Sequence, residues 1–153
     1  EFSDNQITQA EDYYRSKYTN DPLLILRELL IYILTDFIST PKNRALMEIF
    51  FLKCELVGEM ASVVDFKREN YLASEQRIIK NLRDCVDAGQ LPADLDLACS
   101  AVMIRALMSG LLENWLLQPE RFMIDAHTTT LVDTLLETLK NSVSLRVKPT
   151  PNE

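Results

Sequence analysis

The residues able to do chemistry are those that interrupt otherwise apolar helical stripes. Over residues 57–88, spacing of three and four puts Met60, Val64, Lys67, Tyr71, Ser74, Ile78, Leu82 and Cys85 on one face, and Lys67 and Ser74 break its apolar character. The same spacing joins Asp4, Ile7, Tyr14 and Tyr18 near the beginning, with Glu11 between them, and aligns Arg44, Met47, Phe51 and Cys54 further on. Three helical faces thus combine aromatic and Met side chains with a few polar groups. That is the make-up of a cavity for a small molecule, in which apolar surface supplies affinity and sparse polar groups orient the guest. The alternative needs no ligand: Lys and Arg stems cover apolar surface while their heads stay in water, and Asp4 near a helix start complements the helix dipole.

Catalytic constellations are absent from the sequence. A di-metal carboxylate bundle requires Glu-x-x-His pairs, yet His127, the single histidine, has Ile124 at that spacing. Met108-Ser109-Gly110 lies inside a helical pattern and is no nucleophile elbow, and no phosphate-cradling Gly-rich loop occurs. Cys54, Cys85 and Cys99 are odd in number and widely spaced, which fits inert apolar thiols better than a disulfide framework or a zinc site. The reading is therefore of no enzyme, no metal and no cofactor. A third possibility, an enzyme using Asp4, Lys67 and Tyr71, has no motif behind it.

These side chains must be positioned by helices. Asn20-Asp21-Pro22 and Thr40-Pro41 each offer an N-cap followed by Pro at the first helical position, Gly89 suits a left-handed helix end, Asp94 can cap the next helix and Asp125 the last. The expectation is an all-α fold of six helices at about residues 2–18, 22–38, 41–54, 57–88, 95–118 and 126–141, with 142–153 an extended or disordered tail. Residues 23–34 are apolar over most of a helical circumference, so that helix should be packed on several sides. The chain has 153 residues, 47% apolar, and a formal charge of −7, which argues against these residues forming a nucleic-acid-binding surface. No uninterrupted apolar run is long enough to span a bilayer.

The fifth helix carries a second feature. Ala106 and Gly110 are i, i+4 neighbours with Ser109 alongside and Glu113 and Asn114 a turn further on, and small residues let another helix approach closely. With Leu131 and Leu135 of the last helix, these residues could form a two-helix face completed by a second copy in a four-helix bundle. Packing on the other four helices of the same chain is the alternative.

Five blocks carry a resemblance: Asn20-Asp21-Pro22-Leu23 through Leu26-Arg27-Glu28-Leu29; Leu46-Met47-Glu48-Ile49; Lys53-Cys54-Glu55-Leu56-Val57-Gly58-Glu59-Met60-Ala61; Leu91-Pro92-Ala93-Asp94-Leu95; and Ser109-Gly110-Leu111-Leu112-Glu113-Asn114-Trp115-Leu116. Together they resemble the C-terminal part of AcrR-type regulators of the TetR family, and the similarity runs from Glu1 to the tail. The resemblance implies a bacterial, cytoplasmic, homodimeric repressor of multidrug efflux genes, relieved by amphipathic or aromatic drug-like effectors. It implies an N-terminal helix-turn-helix domain, absent from these residues, as the sole contact with operator DNA, and no membrane partner. It places the ligand among the first five helices, at Asp4, Ile7, Arg44, Met47, Phe51, Lys67, Tyr71 and Ser74, and the dimer on the last two, at Ala106, Ser109, Gly110, Glu113, Asn114, Leu131 and Leu135. Asp4 falls where the family has an acidic pocket residue suited to cationic drugs, whereas Lys67 replaces an uncharged Gln. A helical protein-interaction module with a solid core and no small-molecule effector is the competing function.

Overall fold

The computed structural model describes residues 2–53, 61–121 and 123–147, and these described residues form six α-helices: α1 Phe2–Lys17, α2 Pro22–Tyr32, α3 Pro41–Glu48, α4 Ala61–Asp87, α5 Leu97–Leu117 and α6 Ile124–Asn141. Cys54 lies outside these residues, and so do the side chains of Asp4, Val64 and Lys67, whose positions fall on α1 and α4.

Local chemistry sets the helix starts. The Asp21 carboxylate accepts a hydrogen bond from the Leu24 N–H at 3.0 Å with Pro22 at the first position, and Thr40 caps α3 in the same way through the Asn43 N–H at 3.3 Å. Gly89 takes φ 71°, the left-handed conformation that ends α4. Two caps differ from expectation. Asp96, not Asp94, caps α5, accepting from the Cys99 N–H at 2.9 Å. No side chain caps α6. Its first residue, Ile124, is buried, so core packing starts this helix earlier than a cap at Asp125 would, and Asp125 sits in the first turn facing the helix dipole.

Two of the expected helices change pitch. Beyond Tyr32 the chain widens into a π-helical turn over Ile33–Phe37, where the Thr35 hydroxyl donates to the Ile31 carbonyl at 2.8 Å, and α3 does the same over Ile49–Lys53. Each widened turn moves large apolar side chains off the path they would follow in a regular helix.

The core is arranged around α2, which packs against α1, α4 and α6. Leu26, Leu30 and Leu34 meet Leu82 and Cys85 of α4, Ala101 and Ile104 of α5, and Val132, Leu135 and Leu139 of α6 in one cluster. Arg27 ties α2 to Asp133 of α6 through contacts of 2.6 and 3.1 Å. The segment after α6 is not a loose tail as far as Val147. Leu145 is buried, its carbonyl accepts from the Asp96 N–H at 2.8 Å, the Val147 N–H donates to the Asp94 carbonyl at 2.8 Å, and Leu95 and Arg146 form an antiparallel bridge. Burial of one Leu and satisfaction of backbone groups around Asp94 and Asp96 outweigh the entropy of ordering those residues.

By length and composition α5 is apolar enough to cross a membrane although Arg105 and Glu113 interrupt it, and only 28% of its most apolar stretch is buried within the single chain. Its inner face is core; its outer face shows Val102, Ala106 and Leu117 to solvent.

Candidate effector cavity

The helices enclose a cavity of about 740 Å³. Leu26, Leu29 and Leu30 of α2 form its floor, and α3 contributes Leu46 and Met47. The two π-helical turns add Ile33, Phe37, Ile49, Phe50 and Phe51, so the pitch change delivers aromatic surface to the wall. From α4 come Asn70, Tyr71, Ala73, Ser74, Arg77, Ile78 and Asn81, four of them along the 70, 74, 77, 81 ridge. The opposite side is Ile104, Arg105, Met108, Ser109 and Leu112 of α5, and Ile7 of α1 closes the end. Leu46, Ile49 and Tyr71 are exposed and form a rim. A shallower hollow of about 370 Å³ lies between α1 and α2 beside Tyr13, Tyr14 and Tyr32.

Two polar groups stand out in this apolar wall. Arg105 lays its guanidinium over the Tyr71 ring, 3.5 Å from the centroid, and its Nη1 donates to the Tyr71 carbonyl at 3.2 Å. The second group is shared with α1. Arg77 donates to Thr8 Oγ1 at 3.3 Å and lies 3.8 Å from Glu11, while the Asn81 amide donates to Glu11 at 3.3 Å and to the Arg77 carbonyl at 3.0 Å. Arg15 completes the cluster with bonds to Glu11 at 2.9 Å, Asn81 at 2.8 Å and Asp84 at 3.0 Å. Burial pulls the Arg15 pKa down, but the hydrogen bonds and charges of Glu11 and Asp84 outweigh it and hold the guanidinium above its ordinary value. Glu11 and Asn81 are buried, so α1 and α4 are joined by a satisfied polar network bordering an apolar hole.

The structure brings Ile7, Met47, Phe51, Tyr71 and Ser74 together on the cavity wall. Arg44 is not on the wall: its Nε lies 3.2 Å from Glu48 and its guanidinium sits 4.9 Å from the Trp115 ring centroid, one turn of helix being enough to aim it away from Met47's neighbours. Of the residues read as a dimer face, Ser109 lines the cavity instead and Leu135 is buried in the chain's own core, because both point to the inner side of their helices. Ala106, Glu113 and Asn114 are exposed and Gly110 and Leu131 half-buried. A Cβ placed on Gly110 would have no atom within 4 Å, so the space beside it is open in the single chain. Sequence reasoning missed Arg77, Asn81 and Arg105. Arg105 had a signal, since it is a charge within Val-Met-Ile-Arg-Ala-Leu-Met, the same kind of interruption that marked Lys67.

A six-helix domain wrapped round an apolar cavity, with one long helix left half covered, is of the kind found in effector-responsive helical regulators. Residues 21–141 match the family described as MAATS-type transcriptional repressor, C-terminal region. The chain is 41% identical over 153 residues, all of it and 71% of the relative, to the HTH-type transcriptional regulator AcrR of Shigella flexneri. It is 32% identical over 126 residues to the HTH-type transcriptional regulator TtgR of Pseudomonas putida (strain DOT-T1E), covering 82% of this chain and 60% of that one. It is also 29% identical over 126 residues to the probable acrEF/envCD operon repressor of Escherichia coli (strain K12), covering 82% and 57%. The chain belongs to the TetR family of transcriptional repressors and corresponds to the C-terminal domain of its AcrR-type members. Its relatives are regulators of transcription and not enzymes. It spans only part of their length, about three fifths for the latter two.

Proposed function

We propose that these residues form the effector-sensing and dimerisation domain of a cytoplasmic TetR-family repressor that controls a multidrug efflux system and is relieved by amphipathic or aromatic compounds. The observation that carries this reading is the 740 Å³ cavity, a size and composition suited to a drug-sized ligand and at odds with a solid-cored interaction module. Operator contact belongs to a helix-turn-helix domain outside these residues, reached through α1.

Coupling follows from shared residues. Arg77 and Asn81 face the cavity and also hold Glu11, so a ligand that engages either one changes what α1 is bound to. A ligand shifts the α1 position only by the difference in its affinity for the two arrangements. A small pivot of α1 alters the separation of the DNA-reading domains in a dimer and lowers operator affinity. The dimer itself is assigned to the outer faces of α5 and α6, where Ala106, Gly110, Glu113, Asn114 and Leu131 stand around open space. An apolar helix that is core on one side and covered by a second copy on the other accounts for the composition of α5 without a membrane.

Calorimetric titration with a panel of amphipathic and aromatic drugs tests the sensing role, with micromolar binding of several unrelated members expected. Filling the cavity with Ser74→Trp abolishes that binding while the helical spectrum is kept. A panel in which nothing binds, or binding indifferent to Ser74→Trp, defeats the proposal. Sedimentation should give a dimer that Gly110→Leu dissociates; a monomeric parent defeats the assembly.

A further inference from the structure

The geometry points to Arg105 as an anion anchor that makes this cavity select aromatic ligands bearing a carboxylate. This rests on the sensing role proposed above and adds the chemical class of its ligand. The charged residues lining the cavity, among those described, are Arg77 and Arg105, with no Asp or Glu. They are not equivalent. Arg77 is held from behind by Glu11 and Thr8, so its charge is answered within the protein. No carboxylate among the described residues pairs with Arg105. Its Nη1 is used on the Tyr71 carbonyl, and its Nε is shielded from solvent with no hydrogen-bond partner among the described residues.

A guanidinium set in an apolar wall with no carboxylate among the described residues to answer it is costly, and an anionic guest would supply the missing charge. Tyr71 gives the group a fixed plane: the ring covers one guanidinium face at 3.5 Å and the backbone carbonyl holds one edge. An Arg pinned in this way holds a fixed positive charge in the cavity wall, and a planar carboxylate is the group that matches a guanidinium in charge and shape. The rest of the wall suits the other end of such a ligand, with Phe37, Phe51, Met47 and Met108 offering ring-stacking and thioether contacts. The expectation of cationic drugs attached to Asp4 points the opposite way, so ligand charge separates the two.

One naphthalene ring carried by three side chains provides the probes: 1-naphthylacetate, 1-naphthylacetamide and 2-(1-naphthyl)ethylammonium, titrated by calorimetry at pH 7. The acetate should bind about tenfold more tightly than the amide, as a charge-assisted hydrogen bond at a partly buried site allows, and the ammonium most weakly. Arg105→Gln should remove about tenfold of acetate affinity and much less of the amide's, and Arg105→Lys should restore part of the acetate loss. Equal or reversed order among the three overturns the anion assignment while leaving the sensing role intact, as does a drug panel that binds when no naphthyl probe does. Acetate and amide falling together in Arg105→Gln would make Arg105 a packing partner of Tyr71 and sink the anchor. Should Arg105→Gln fail to fold, the wild-type order of the three probes decides. Failure of every compound in both panels removes the sensing role and the anchor with it.

Discussion

The α6 side of the molecule, with the faces of α2 and α5 that pack on it, and the side bounded by α1, α3 and α4 are built from similar apolar residues, yet one is solid and the other hollow. On the solid side Ala101, Val132 and Leu139 are fully shielded from solvent. On the hollow side Leu46, Ile49 and Tyr71 remain exposed at a rim, and the neighbouring turns are π-helical. Composition does not distinguish a core from a cavity. What does is how the helices meet: a polar network ties α1 to α4 beside the space and two π-helical turns border it, whereas regular helices with Leu and Val at matched spacing close completely.

Leu139→Ala should break the solid side with the largest effect, a loss of about 2–5 kcal/mol in urea unfolding, because the removed atoms leave a void that packed neighbours do not fill. Glu11→Gln, on the border between the two sides, should cost about 1–2 kcal/mol, since Arg15 and Arg77 lose their shared carboxylate but Arg15 keeps Asp84 and partial access to water. It should also change ligand affinity, which Leu139→Ala should not beyond its effect on folding. Asp96→Ala should cost about 1 kcal/mol through the α5 cap, read as a lowered melting temperature with no change in ligand binding. Met47→Ala on the hollow side should cost less than about 1 kcal/mol, because it enlarges a space already present, yet weaken drug binding severalfold; equal losses for Met47→Ala and Leu139→Ala would erase the distinction.

At neutral pH the smallest effect concerns Cys85 in the packed core. Burial, helped by the charges of Asp84 and Asp21, pushes its thiol from the ordinary 9.0 up to about 12. Between those values the unfolded thiol ionises while the folded one keeps its proton. The contribution of Cys85 is therefore full below about pH 9 and is lost as pH rises toward 12. Unfolding curves of Cys85→Val should lack that part of the alkaline decline. In the native protein iodoacetamide should label the exposed Cys99 and spare Cys85, which peptide mass spectrometry resolves.

Helix number and most helix starts were legible because Asp21-Pro22, Thr40-Pro41 and Gly89 act locally. The stripe of Tyr71, Ser74 and Ile78 was legible because periodicity survives in a regular helix such as α4. The π-helical turns were not, since a slipped hydrogen bond leaves almost no mark on residue choice: the Thr35 bond to the Ile31 carbonyl recurs at Thr128, Thr134 and Thr138 of the regular α6. Arg44 was misplaced because spacing fixes where a Cα sits but not where a long side chain ends: Glu48 and the Trp115 ring hold its guanidinium off the wall. The choice of Asp96 over Asp94 depended on a partner fifty residues away in the chain, the Leu145 carbonyl, which local pattern does not contain.

That last contact bears on how the domain can be engineered as a biosensor. Because Asp96 both starts α5 and receives the returning strand at Leu145, the stretch 143–147 acts as a clasp on the helix that forms one wall of the cavity. A reporter joined directly after Asn141 would open the clasp and uncover Leu95 and Leu139, so its signal would mix misfolding with ligand response. A joint placed after Val147 leaves the clasp shut and reads occupancy of the cavity alone.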